Sequence, residues 1–310
     1  MEPDRGDQPG AAADRGVTGT SAAQAAGALQ AHRPMLLGLA YRLLGSLHDA
    51  EDVLQEAYLR WLDVDRESVA EPRRYLSRVV TRLALDRLRT RQAARETYVG
   101  PWLPEPVPTG AAEPFGPLDS AELRDSVSVA LLHLLERLTP PERAVYVLHT
   151  AFALPYAEIG DILDRSAADC RQLHHRAVAR IADGRRRFTA GPAEQRRLLD
   201  AFLAAARDGD LPRLAELVAS DAVSWNDGGG AVRAARNPVH GADRIARFFA
   251  GLYGRGRPIE ATPAELNGGP ALVLRWPDGT RYTLAIAAAD GRITDLYLVG
   301  NPAKLSRLPG

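Results

Sequence analysis

Cysteine and lysine are almost missing from this 310-residue chain: Cys170 is the one cysteine and Lys304 the one lysine. A single cysteine excludes an intrachain disulfide and a cysteine-built zinc site. Aromatic residues are sparse at 6%, and the formal net charge is +0. No run of about 18 apolar residues occurs, so no membrane-spanning helix is expected. Residues 1–26 are rich in Gly, Ala, Asp and Pro and lack the basic start and apolar centre of a signal peptide. They read as part of a disordered tail covering 1–28, and the expected address is cytoplasmic.

What is abundant is arginine, and it is piled up in two places. Residues 73–95 carry Arg73, Arg74, Arg78, Arg82, Arg87, Arg89, Arg91 and Arg95. Residues 165–187 carry Arg165, Arg171, Arg176, Arg180, Arg185, Arg186 and Arg187. Each pile lies on a segment of helical periodicity. Two basic helices in a neutral chain suggest two contacts with one long polyanion, most simply DNA. Either pile alone would read as a solvated charged face.

The order of elements divides the chain. An all-helical block covers 29–96. Leu36, Leu39, Ala40, Leu43, Leu44 and Leu47 recur at helical spacing, and Ser46 with Asp49 fits a capping box for the next helix. That helix sets Ala50, Val53, Leu54, Ala57, Tyr58 and Trp61 on one face. A third begins at Pro72 with the stripe Leu76, Val79, Val80, Leu83 and Leu88. Residues 97–118 hold too many prolines for a regular element and read as a linker. Its Tyr98–Pro104 stretch is aromatic for a spacer and would dock on a partner or fold back on a domain. A second all-helical block covers 119–190, and Thr139-Pro140-Pro141-Glu142 is a strong helix start. The last block, 193–302, changes to α+β. Helices carrying Leu198, Phe202 and Leu214, then Ile245 and Phe249, precede strands at 259–266, 271–276, 281–287 and 292–299. Turns are expected at Pro277-Asp278-Gly279 and Asp290-Gly291.

Among residues that could carry chemistry, 155–181 form the strongest unit. A short helix, a tight turn at Asp164-Arg165 and a second helix capped by Ser166 make a helix-turn-helix. Cys170, Leu173 and Ala177 would face inward. Arg171, Gln172, His175 and Arg176 would face outward, toward base edges and phosphates. On the earlier pile, Arg74, Arg78 and Arg82 step by four, and Arg89 follows seven later, making a stripe that could track a phosphate backbone. Asp49, Glu51, Asp52 and Glu56 supply an acidic first turn or an acidic docking face; nothing beside them completes a catalytic or metal site. His174 and His175 point different ways on a helix, which makes them poor metal co-ligands. No phosphate loop or serine-nucleophile motif occurs. The sequence calls for no cofactor.

The order of parts then resembles a known family. Tyr41-Arg42-Leu43-Leu44-Gly45 and Asp49–Trp61 resemble region 2 of sigma-70-family transcription initiation factors. Leu138–Arg143 and the helix-turn-helix resemble region 4. With no further regions between them, the chain is similar to extracytoplasmic-function sigma factors. Its last block resembles the SnoaL-like domain, a cone-shaped α+β fold, fused to the SigJ type. That resemblance is carried by Tyr98–Pro106, by Trp225–Val239 and by Asn301-Pro302-Ala303-Lys304-Leu305. Ala231 stands where that group has lysine, and Ala303 where it has aspartate.

The resemblance implies a division of labour. Asp49, Glu51, Asp52, Gln55 and Glu56 would dock on core RNA polymerase. Arg73, Arg74, Arg78, Arg82 and Arg89 would engage the −10 promoter element, with the 63–71 loop helping to catch a flipped base. Ala167, Ala168, Arg171, Gln172, His175 and Arg176 would read the −35 duplex. Asp227, Gly228, Gly229, Gly230, Asn301 and Pro302 would form a regulatory motif. The implied cone fold commonly encloses a pocket, so a small-molecule ligand joins core polymerase and promoter DNA among the expected partners. Rival readings are a ligand-sensing helix-turn-helix repressor and an enzyme with a catalytic last domain; an acidic docking helix favours the sigma reading.

Overall fold

The computed structural model describes residues 15–65, 68–95, 98–109, 114–116, 118, 120–253 and 260–308. Helix α1 (Arg15–Leu44) starts inside the expected tail. The alanine-rich stretch from Ser21 to Ala28 has the propensity to extend it. Residues 1–14 of that tail lie outside the described residues. Gly45 ends α1 at φ +66°, and a Cβ there would lie 2.8 Å from the ring of Trp102. Both the backbone and the close ring demand glycine. Helix α2 (Leu47–Leu62) is capped by Ser46, whose hydroxyl accepts from Asp49 N at 3.3 Å. The expected return half of a capping box is replaced: the Asp49 carboxylate turns to Arg87 and Arg91 of helix α3 (Pro72–Arg95). The apolar stripes of α1, α2 and α3 close on one another around Leu39, Leu43, Leu54, Trp61, Leu76 and Val80.

Helices α4 (Ala121–Asp125), α5 (Val129–Leu135), α6 (Pro140–Thr150), α7 (Tyr156–Leu163) and α8 (Ala167–Arg185) follow. The start of α6 is built as its sequence implies: Glu142 accepts from Thr139 N at 3.0 Å and from Thr139 Oγ1 at 2.8 Å. The two helical blocks do not stay apart. Their buried residues form one continuous core. Fully buried Arg143 reaches across to donate to the Arg42 carbonyl from Nη2 at 3.2 Å, while its Nη1 meets Glu136 at 2.6 Å. Desolvation lowers the Arg143 guanidinium to about 9 and that of Arg42 to about 10.

The last block is α9 (Pro192–Asp208), α10 (Leu211–Leu217), β1 (Val218–Asp227), β2 (Val239–His240), α11 (Ala242–Tyr253), β3 (Glu260–Leu266), β4 (Gly269–Arg275), β5 (Arg281–Ala289), β6 (Arg292–Val299) and α12 (Pro302–Leu305). The sheet order is β2-β1-β6-β5-β4-β3, antiparallel except for the β1–β6 pair. Period-two alternation sorts its side chains. Tyr282, Leu284, Ile286 and Leu296 pack on α9–α11, around Phe202 and Phe249. Ala285, Ala287, Tyr297 and Val299 face the opposite way, where Val129 and Ala130 of α5, Leu103 of the linker and Leu305 cover them. Strands β1 and β2 were not expected. Val218–Asp227 carries Ala, Ser, Asn and Asp, which weaken any strand signal; its pairing with β6 supplies the order.

Candidate nucleic-acid interface

The stripe on α3 forms, but it is not open. The first helix of the helix-turn-helix, α7, lies across it. Arg74 Nη2 is 2.6 Å from Asp161 and its Nε 3.7 Å from Glu158. Arg78 is 3.3 Å from Asp164. Arg82 also pairs with Asp164, and its Nε donates to the Ile162 carbonyl at 3.1 Å. A strand following this stripe would meet three carboxylates first. Arg73 stays exposed, and Arg89 is taken up locally by Asp86 at 2.7 Å. The five residues therefore do not form one continuous free surface.

The helix-turn-helix is assembled as its spacing implies. Asp164 adopts a left-handed conformation at φ +54°, and Arg165 N donates to Gly160 O at 3.0 Å. A Cβ on Gly160 would come within 2.5 Å of the Arg165 carbonyl, so the tight turn requires this glycine. Cys170, Leu173 and Ala177 are buried, and burial pushes the Cys170 thiol up. Ala168, Arg171, Gln172, His175 and Arg176 are exposed, with Ala167 half-buried. Arg171 lies 5.3 Å over the Tyr156 ring. Arg176 and Arg180 approach buried Glu142 at 3.4 and 2.5 Å, tying α8 to α6. His174 turns inward, 3.0 Å from the Tyr156 hydroxyl and edge-on to His149 at 4.7 Å. Burial, then His149 and His175, hold its pKa below the ordinary value.

The acidic face of α2 is divided. Gln55 and Glu56 are exposed, with Glu56 bonded to Arg60 at 2.7 Å. Asp49 and Asp52 turn to α3, where Asp52 meets Arg87 at 2.7 Å. Glu51 is bonded at 2.8 Å by Arg307 from the far end of the chain. Only part of the expected docking set faces outward.

The expected regulatory motif comes together, and the linker is its partner. Fully buried Asp227 accepts from the Tyr98 hydroxyl at 2.6 Å, Leu103 N at 2.9 Å, Gly229 N at 3.1 Å and Lys304 Nζ at 2.7 Å. Asn301 donates to the same Tyr98 oxygen at 2.9 Å and caps α12, which opens at Pro302. Burial, then Asp227, push the Tyr98 phenol up. Lys304 Nζ sits 4.1 Å from the Trp102 ring centre. Gly229 and Gly230 have positive φ, and a Cβ on Gly230 would touch Val99. Gly228 passes close under the Val232 carbonyl.

Farther along, the linker grips the first helical block and the β3–β4 end of the last domain. Glu105 accepts from Leu47 N at 2.7 Å and His48 N at 3.2 Å, which caps α2 from outside. Its own carbonyl accepts from Tyr41 Oη at 2.7 Å. Asn267, in the β3–β4 turn, donates to that hydroxyl and accepts from Val107 N at 3.0 Å. Pro108 forms a bridge to Leu266. The stretch expected to dock or fold back folds back on the last domain through Tyr98 and Leu103, and the residues after it reach the first helical block and the β3–β4 turn. Arg187 adds a second tie, meeting Asp295 at 3.0 Å and Asp221 at 2.5 Å. Glu105 and Asn267 were not singled out by sequence, and Arg187 stood out only as the last of the second arginine pile. Lys304 was visible as the one lysine, without a signal for what it holds.

Among the described residues, no cluster of His, Cys, Asp and Glu could hold a metal, and no helix is long and apolar enough to cross a membrane. Comparison with known proteins places both helical blocks. Residues 28–94 match sigma-70 region 2, and residues 128–181 match sigma-70 region 4. The chain is 37% identical over 301 residues to the ECF RNA polymerase sigma factor SigJ of Mycobacterium tuberculosis, covering 90% of this chain and 93% of that protein. The crystal structure of the M. tuberculosis extracytoplasmic function sigma factor SigJ superimposes with a TM-score of 0.69 at 32% identity, covering 91% and 98% of the two chains. The RNA polymerase sigma-E factor of Streptomyces coelicolor is 30% identical over 152 residues, 48% of this chain and 78% of that protein.

Proposed function

The chain belongs to the extracytoplasmic-function sigma factors of the sigma-70 family, and from that premise we propose how its surfaces divide the work of promoter recognition. As an RNA polymerase sigma factor it acts with core polymerase on promoter DNA. We assign the −10 element to Arg73, Arg74, Arg78 and Arg82 of α3, and the −35 duplex to Arg171, Gln172, His175 and Arg176 of α8. Exposed Gln55 and Glu56 of α2 are the part of the acidic helix available to polymerase in the closed form. Asp49 is a structural residue here, not a docking one.

The observation that carries this reading is the pairing of Arg74, Arg78 and Arg82 with Glu158, Asp161 and Asp164. The residues suited to a phosphate backbone are held by the element that presents the other DNA-reading helix. The described form is therefore a closed one, and promoter engagement requires α7 to leave α3. The last domain holds the closed form by gripping the linker through Asp227, Asn301 and Lys304. We assign it a regulatory role in place of a catalytic one, because Asp227 and Asn301 are taken up by the linker and Asp295 by Arg187.

The test is run-off transcription with purified core polymerase on promoters from the native genome. Wild-type protein should form open complexes there; failure on all of them defeats the sigma assignment. R78A/R82A should lower open-complex yield and flatten its salt dependence, by roughly one unit of log–log slope per lost phosphate contact. Initiation that is unchanged across salt rejects the α3 assignment.

A further inference from the structure

We propose that the C-terminal domain carries a binding site for a small aromatic monocarboxylate, in the pocket between α11, the β4–β5 hairpin and the Ala231–Ala235 loop. The pocket has a cavity volume of about 720 Å³. That lies within the range of sites that bind small ligands, roughly 300–1,000 Å³. None of its lining residues belongs to the DNA-facing helices or bonds to the Asp227 carboxylate.

The lining has two chemistries. Phe248, Trp276 and Tyr282 supply ring surfaces, and the last two meet edge-to-face with centroids 4.8 Å apart. Such an arrangement accepts a flat ring by stacking or by edge contact. The second chemistry is charge. Arg233 and Arg247 both line the pocket, both are exposed, and neither forms an ion pair among the described residues. A guanidinium presents a planar fork that matches a carboxylate, and a charged hydrogen bond is about twice as strong as a neutral one. Asp278 is the one acidic lining residue, and it accepts from Thr280 N at 3.0 Å. Among the described lining residues two guanidiniums accompany one carboxylate, an excess of positive charge suited to a carboxylate ligand.

The pocket is also connected. Tyr282 donates to the Arg233 carbonyl at 3.1 Å, which fixes the 231–235 loop against the hairpin. That loop continues directly from Gly230, which packs on Val99 of the linker. A ligand bridging Arg233 and Trp276 would therefore bear on the segment that fastens the linker.

The use of such a site rests on the regulatory reading of this domain, but its existence is measured without polymerase. Isothermal titration of the full chain with 2-naphthoate should give saturable one-to-one binding. The uncharged isostere 2-naphthamide should bind at least tenfold more weakly. R233Q and R247Q should each weaken naphthoate about tenfold, W276A should weaken both probes, and R247K should recover part of the loss. Melting curves confirm that each variant is folded. Absence of saturable binding, equal affinity for acid and amide, or full binding by R233Q/R247Q overturns the proposal. Binding of a 12-base single strand at these arginines with no naphthoate binding also overturns it, by assigning the patch to nucleic acid. Run-off transcription without ligand tests the sigma reading separately, so the two failures cannot be confused.

Discussion

Replacing Asp161 and Asp164 by asparagine removes two of the three carboxylates facing Arg74, Arg78 and Arg82, leaving Glu158, while keeping side-chain shape. The arginine side chains in these three pairs are 38–45% exposed and the aspartates 65–72%. Pairs this wet contribute about 0.2–1 kcal/mol each. Together they hold the closed form by about 1–2 kcal/mol, roughly 5–30-fold in population. D161N/D164N should therefore bind a fluorescent single strand carrying the −10 sequence about 5–30-fold more tightly than wild type, in the absence of polymerase. The gain should shrink as salt rises, because screening at a Debye length of about 8 Å already weakens the wild-type pairs. D208N makes the same kind of charge change on an exposed residue of α9, far from α3 in sequence, and should leave affinity near wild type. Equal affinity for D161N/D164N and wild type at low salt would refute the idea that α7 competes with DNA for the stripe. So would an equal gain in D208N, which would reduce the effect to net charge.

The Asp227 clamp makes a sharper stability prediction: D227N removes a fully buried carboxylate from a lysine that is 11% exposed, at a cost of about 3–5 kcal/mol, read as a lowered melting temperature and new protease cuts near Tyr98–Leu103. E105A strips the outside cap from α2 and should lower the urea midpoint by an amount equal to about 1–2 kcal/mol with the slope unchanged. Acid should weaken region 4 through His174. Its folded-state pKa lies below 6.5, so the unfolded chain binds more protons as the pH falls. Stability is full above that value and is lost below it. Melting between about pH 7.5 and pH 5.5 should fall less steeply in H174Q than in wild type, and identical slopes would remove His174 from the account.

Local pattern carried most of the fold. The capped start at Thr139, the turn at Asp164 and the hairpins at Gly279 and Gly291 are short-range devices, and each is written within a few residues. Cys170, Leu173 and Ala177 were assignable to the core because period 3.6 leaves them one face. β1 escaped because its order comes from β6, some seventy residues away, and not from its own composition. The site was legible as residue types but not as a state. Arg74, Arg78 and Arg82 were visible as a basic stripe, yet nothing in their spacing says that an acidic helix eighty residues later will cover them. Asp49 shows the same limit: an acidic first turn looks alike whether it faces solvent, polymerase or Arg91. Tyr98–Pro104 stood out as too aromatic for a spacer, but only the fold shows that Asp227 and Gly45 are what those rings were for.

The position of Lys304 has a consequence in time. The residue that closes on Asp227 lies about 120 residues beyond the end of α8, so at ordinary synthesis rates both helical blocks are complete roughly ten seconds before it exists. During that interval the linker can still rest on α2 through Glu105, but its grip on the last domain has not been made. Each newly made molecule thus passes once through an unfastened stage before it is shut.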